Sequence, residues 1–250
     1  MARARAVLHN CAPAMDARTR LTVLHAQLRA CTACPAMIGP VVHGPPVTSP
    51  VLLIGQAPGP REGAIGRPFA WTAGRTLFKW FEAAAGVDED RFRASVYMAA
   101  VARCFPGKAP GGGDRKPDRE EIARCQRFLA QEVEILAPRL ILPVGGVAIE
   151  QVLGHKGPLV EVVGVVRRVT FLGAEVDAIA LPHPSGASTW HRVEPGVTLL
   201  ARALGLVARH PAFVAATGGR AAKKMSRRTA EARVIARRST AAGSRAPGRR

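Results

Sequence analysis

The chain has 250 residues, 48% of them hydrophobic, which is enough for one sizeable core. No apolar run approaches the ~20 residues that a membrane-spanning helix needs, and the basic start MARARAVLHNCAPAMD lacks the apolar stretch of a secretory signal. The formal net charge of +18 suits an anionic partner, nucleic acid above all, although a composition rich in Arg and Ala gives the same balance.

Residues 1–20 read as a flexible lead. LTVLHAQLRA places Leu21, Leu24 and Leu28 at helical spacing. That helix ends in the turn CTAC, and a Pro- and Gly-rich connection follows from Gly39 to Pro50. VLLIGQAPG reads as a short buried strand running into a tight loop. TAGRTLFKWFEAAAG is an amphipathic helix stopped by Gly86. SVYMAAVA is a second strand and RCFPGKAPGGGDRKPDREE a loop. Pro117-Asp118 opens the next helix, LILPVGG is a third strand, and VAIEQVLG is a short helix. Val160 to Phe171 reads as a hairpin, AIALPHPSGAS as a final strand and loop, and VTLLARALGLVA as a closing helix. Strands alternating with helices predict a three-layer α/β/α fold on a central, mainly parallel, four-stranded sheet. Ligands of such sheets gather at the carboxyl ends of strands. GQAPG, RCFPG and LPHPSG fall there.

The folded domain is expected over 21–210 and a basic tail over 211–250. From residue 215 onward the chain has eleven basic residues and one acid, Glu231, so ten of the eighteen net charges lie there. The composition reads as disordered. The segment is either an arm that binds nucleic acid through phosphates or a solvated extension.

The chain has five cysteines. An absent secretory signal implies a reducing cytoplasmic setting, which argues against a structural disulfide at Cys31 and Cys34. Metal binding or thiol chemistry is favoured. Zinc ribbons bring two close C-x2-C pairs, and here only one pair is close. CTAC with the widely spaced Cys104 and Cys125 suits a [4Fe–4S] cluster better. The alternative is that Cys125 is a buried residue of its helix and Cys104 fills a strand end. Cys11 is a bystander.

The order CTAC, GQAPG, GRPF-x3-AG-x2-L, VYMAAVARCFPG, Cys125 and HPS resembles the iron–sulfur uracil-DNA glycosylases, family four in particular. The resemblance covers roughly residues 20–208. It implies a [4Fe–4S] cluster held by Cys31, Cys34, Cys104 and Cys125, with GGGDRK as a flexible insertion before the last ligand. It implies that the cluster fastens the N-terminal helix to the loop after the second strand. Arg103, Lys108 and Arg115 would then share a surface that meets DNA.

The resemblance also implies a substrate pocket for a base taken out of the DNA stack. Phe69 would stack on that base, and Gly55, Ala57, Pro58 and Gly59 would let the backbone approach it. His183 would stabilise the departing base anion, and Ser185 would touch a DNA phosphate. Two positions depart from family four. Gln56 stands where an acid places the water, and an amide orients water without acting as a base. Ala100 stands where an Asn reads uracil, an absence shared with the related family five. Glu62 is the nearest acid to the first loop, either a substitute for that acid or a solvated charge. The expected activity is hydrolysis of the N-glycosidic bond of uracil or other deaminated bases, opening base excision repair. The expected partner is DNA, single- or double-stranded, with no membrane. The protein would be a monomer of the bacterial cytoplasm, at the nucleoid. The alternative is a weak or inactive iron–sulfur protein that binds damaged DNA.

Overall fold

The computed structural model describes residues 15–218. Cys11 and the basic stretch 219–250 lie outside the described residues. The elements in chain order are α1 (Ala17–Arg29), β1 (Val51–Gly55), α2 (Glu62–Ile65), α3 (Thr72–Ala85), α4 (Glu89–Ser95), β2 (Tyr97–Ala100) and α5 (Arg119–Leu136). They continue with β3 (Leu140–Pro143), α6 (Gly146–Leu153), β4 (Arg167–Phe171), β5 (Ala174–Ala178), α7 (Gly196–Arg209) and α8 (Pro211–Thr217).

The sheet runs β2-β1-β3-β5-β4. β2, β1, β3 and β5 are mutually parallel, and β4 pairs antiparallel with β5. The sheet therefore has five strands where the sequence suggested four. The extra edge strand, RRVTF, is mostly exposed and lacks the apolar run of its neighbours. The hairpin lies at β4–β5 and turns at Leu172-Gly173, later than Val160–Phe171. The segment expected as the final strand continues past β5 only as single bridges, Val163 with Ala180 and Val144 with Leu181.

Both faces of the sheet are covered, so β1 is buried throughout. Successive side chains point to opposite faces. Val51 and Leu53 join the core built with α3, α4, α7 and α8. Leu52 and Ile54 join the other core, with Leu21, Leu129 and Val147 of α1, α5 and α6.

The helix limits follow from local chemistry. Asp16 caps α1 by accepting from the Thr19 amide, so residues 17–20 are helix rather than lead. Asp118 and Glu121 form a reciprocal capping box that starts α5. Gly86, at φ 66°, ends α3. Residues 211–217, expected in the tail, form α8, and its Phe213 is buried against Phe81 and Phe92. Among the described residues no single helix is long and apolar enough to cross a membrane.

The strand order places the site. From β1 the chain goes to β2 on one side, then returns past β1 to β3 on the other. Ligands of open α/β sheets gather at the carboxyl ends beside such a reversal.

Phe213→Ala should cost about 3–5 kcal/mol of unfolding free energy, the usual loss for a buried aromatic ring. Denaturant titration measures it. A loss below about 1 kcal/mol would place α8 outside the cooperative domain.

Candidate functional site

A cavity of about 510 Å³ opens at the reversal. Its walls come from the loop after β1, the segment Pro68–Ala73, the end of β2, the hairpin around Asp114, and the loop after β5. Gly55, Gln56, Ala57, Pro58, Gly59, Phe69, Ala100, His183 and Ser185 all line it. The structure thus brings together every pocket residue named from the sequence.

Phe69 is held in an unfavourable backbone conformation. Its φ is 52°, a left-handed value rare for a bulky residue. Arg93 fixes it by donating from Nη1 to the Pro68 carbonyl and from Nη2 to the Phe69 carbonyl, each at 2.9 Å. Glu62 fixes the flanks, accepting from Ala70 N at 2.9 Å and Gly59 N at 3.1 Å. A Cβ on Gly74 would stand 1.7 Å from the Phe69 carbonyl oxygen, so the first turn of α3 requires glycine there. The Phe69 ring meets Gly55, where a Cβ would come within 2.9 Å of Cζ.

Glu62 is therefore a strut with both carboxylate oxygens engaged. Burial raises its pKa, and the two amide donors only partly offset that. Its sequence reading as a solvated charge is corrected: the carboxylate is turned inward to tie two loops together.

His183 lies in the loop after β5, two residues past Leu181. The Ser185 amide donates to its Nδ1 at 3.2 Å, which leaves the proton of the neutral ring on Nε2. Gly145, at φ 84°, makes room: a Cβ there would stand 2.9 Å from the imidazole Cδ2. Burial lowers the His183 pKa below its ordinary 6.5, and the Asp114 charge pushes the other way. The result is a neutral imidazole with a fixed tautomer and a hydrogen-bond donor.

Ala100 ends β2 beside Gly55 and lines the pocket with a methyl group as its only side chain. At the rim Trp71 is 41% exposed, with the Arg61 guanidinium 4.5 Å and the Arg75 guanidinium 5.6 Å from its ring centroid. Sequence reasoning missed Trp71, because an aromatic at the start of an amphipathic helix reads as core. It also missed Asp114, hidden in what read as a flexible insertion. That segment is a closed hairpin with Lys108 bridged to Asp114 and the Arg115 amide bonded to the Gly107 carbonyl at 2.9 Å.

A second cavity, of about 340 Å³, is lined by Cys31, Cys34, Cys104 and Cys125. Backbone pairing builds it. Ile38 and Phe105 exchange two hydrogen bonds, and the Val42 amide donates to the Arg103 carbonyl, joining the CTAC segment to the chain after β2. Burial pushes the Cys104 thiol up to about 11, and neighbouring cysteines add to the shift. Burial raises Cys34 and Cys125 as well. Cations surround the thiols: Arg29, Arg103 and Arg124 line the cavity, and Arg127 Nη2 lies 3.6 Å from Cys31 Sγ. Among the described residues no group of three or more His, Cys, Asp or Glu side chains is arranged to hold a metal ion.

Arg103 lies beneath this cavity, 2% exposed. Nη2 donates to Glu132, Nε donates to the Ala100 carbonyl at 2.9 Å, and Nη1 is buried with no partner among the described residues. Burial opposes its charge, but Glu132 outweighs that and keeps it protonated. Tyr97 donates to the other Glu132 oxygen at 2.6 Å. The expectation that Arg103 meets DNA is therefore corrected, since a buried acid holds it inside. Arg115 is likewise engaged, forking onto Glu121 at 2.7 and 2.8 Å.

These features define an α/β protein with one pocket at the carboxyl ends of the sheet strands and a second cavity lined by four cysteines. The uracil DNA glycosylase superfamily model matches residues 41–195, and the chain belongs to that superfamily. It is similar to the type-4 uracil-DNA glycosylases of Sulfurisphaera tokodaii (26% identical over 141 residues) and Pyrobaculum aerophilum (30% over 139 residues). Those matches cover 55% and 54% of this chain, and 60% and 66% of the relatives' own lengths. The type-4 uracil-DNA glycosylase of Thermotoga maritima is 29% identical over 169 residues, 66% of this chain and 81% of that protein.

The His183 ring should titrate with a midpoint below 6.5, as followed by NMR of its imidazole nitrogens, with the Nε2–H tautomer present at pH 7. A midpoint above 6.5 would contradict the burial that gives it a neutral donor.

Proposed function

We propose that the protein is a DNA glycosylase that hydrolyses the N-glycosidic bond of uracil, or of another deaminated base, in DNA. The observation that carries this reading is the shared pocket: Phe69 and the neutral His183, whose ring proton is on Nε2, line one cavity. Similarity to three type-4 uracil-DNA glycosylases supports it. A base inside a duplex is out of reach, so the nucleotide must leave the stack, and the pocket must repay part of the unstacking cost. Phe69 supplies an aromatic face for the ring. Because its backbone is clamped beforehand, little order has to be imposed on binding.

As the bond breaks, negative charge grows on the base. A neutral His183 donor aimed at a base carbonyl gains strength as that charge develops, so it lowers the barrier more than it tightens binding. The Ser185 amide serves by holding the tautomer. The Arg61–Trp71–Arg75 stack on the rim offers a flat, cationic platform to the strand flanking the extruded base. The methyl group of Ala100 cannot discriminate base edges by hydrogen bonding, which favours a range of deaminated bases over uracil alone.

The four cysteines fit a [4Fe–4S] cluster. They line one cavity of about 340 Å³, whereas four sulfurs on a single ion, each at about 2.3 Å, must crowd within about 4 Å of each other. A cluster with four thiolate ligands is anionic, and the unpartnered Arg103 Nη1 and the surrounding arginines suit an anion. Cys31, Cys34, Cys104 and Cys125 would hold it. Its contribution would be to cross-link α1, the chain after β2, and α5.

A second reading, a damaged-DNA-binding protein with little turnover, is favoured by Gln56 and Ala100. A panel of oligonucleotides carrying uracil, hypoxanthine or xanthine, single- and double-stranded, separates the two. Abasic product is expected from the wild type. Salt-sensitive binding without product would support the second reading. His183→Ala should lower single-turnover rate by about 10²–10³-fold, as for loss of an oxyanion donor. A near-normal rate would show that the site is misassigned. Purified protein should carry iron and inorganic sulfide in equal amounts, and zinc in their place would contradict the cluster.

A further inference from the structure

The first loop carries Gln56 in place of an acid, yet hydrolysis of a glycosidic bond needs a group that orients the attacking water and takes its proton. The pocket contains two carboxylates, Glu62 and Asp114. Glu62 is unsuited, because both of its oxygens accept backbone amides and its removal would free two loops. Asp114 is different. It sits on the hairpin that folds over the pocket, with Lys108 donating to its Oδ1 at 2.6 Å. Oδ2 faces the GQAPG loop, 3.7 Å from where a Cβ on Gly59 would stand. The Asp114 charge is also felt at His183.

The ion pair does not lock this carboxylate away. Lys108 and Asp114 are 59% and 40% exposed, and a pair so exposed to water holds only weakly. Their ammonium and carboxylate are free to rearrange around a substrate. The hairpin geometry holds the carboxylate over the pocket by backbone bonds instead. Gly107, Gly112 and Gly113, at φ 92°, 80° and 74°, allow the tight return, and the Ala109 amide bonds the Gly113 carbonyl at 3.1 Å.

We propose that Asp114 is the water-activating carboxylate of this protein, supplied by the hairpin after β2 rather than by the loop after β1. This rests on the glycosylase reading above. In the step, the C1′–N bond breaks and its electron pair leaves on the base, where the His183 Nε2–H meets a carbonyl oxygen. A water molecule, placed between Asp114 Oδ2 and the sugar, bonds through oxygen to C1′. Its extra proton passes to the Asp114 carboxylate and then to the released base anion. The products are the free base and an abasic sugar with a hydroxyl at C1′. Gln56 contributes an amide that helps orient the same water.

The test uses the full chain and single-turnover kinetics on a uracil oligonucleotide, with DNA affinity measured in parallel. Asp114→Asn keeps the shape of the side chain and an acceptor for Lys108. It should lower the rate by about 10²-fold with affinity unchanged, the scale of a lost general base. Adding Gln56→Glu to Asp114→Asn should recover at least about tenfold, because a carboxylate then reaches the water from the opposite loop. Lys108→Ala removes the ion pair but keeps the carboxylate, and should cost far less than Asp114→Asn. An Asp114→Asn variant at the wild-type rate overturns the proposal. So does a Lys108→Ala loss as large as that of Asp114→Asn, which would make Asp114 an anchor for the hairpin. If wild-type protein releases no base from any substrate in the panel, the glycosylase reading itself fails, and the fault is then visible before any variant is made.

Discussion

The pocket depends on the clamp that holds Phe69 at positive φ. Such a conformation costs of order 1–3 kcal/mol for a non-glycine residue and persists only where the surroundings over-determine it. Here Arg93 donates to two successive carbonyls, Glu62 accepts the neighbouring amide, and Gly74 leaves the room that any side chain would occupy. Arg93 is in turn paired with Glu89 at 2.8 Å and stacked on Phe78, so the clamp is rooted in α4 and α3. The ring is thereby presented to the cavity as a fixed surface. A flexible ring would have to be ordered by each ligand, and that cost would weaken binding.

The end of β2 connects this pocket to the cysteine cavity. Within five residues it supplies Ala100 to the pocket wall, Arg103 to a buried pair and Cys104 to the thiol ring. Arg103 Nε bonds the Ala100 carbonyl directly, so a change beneath the thiols reaches the pocket through one side chain. Removing one partner of a buried ion pair costs about 3–5 kcal/mol, because the other charge is left uncompensated. Glu132 and Arg103 therefore tie α5 to the strand end as firmly as any apolar contact.

Much of this was legible in the residues. VLLIG reads as a doubly buried strand because every position is apolar, and it is. The starts and stops at Asp118 and Gly86 follow from side-chain capping and from glycine's access to positive φ. HPS and GRPF read as loop motifs and both reach the pocket. Other features depend on partners far away in the chain. β4 is an edge strand rich in exposed polar side chains, and only its pairing with β5 defines it. α4 is seven residues long and buries just Phe92, too little periodicity to see. The charge of Arg103 suggested a DNA contact, whereas Glu132, 29 positions later, turns it inward. Asp114 was hidden because a glycine run reads as slack chain, while its glycines are what fold the carboxylate back over Gly59.

The central claim is that an extruded base lies on Phe69 with a carbonyl oxygen on His183. A crystal structure with DNA carrying a non-cleavable uridine analogue tests it directly. The base ring should lie against the Phe69 face, within hydrogen-bond distance of His183 Nε2, with Asp114 across the sugar. A base still stacked in the helix, or seated away from Phe69 and His183, would contradict the account.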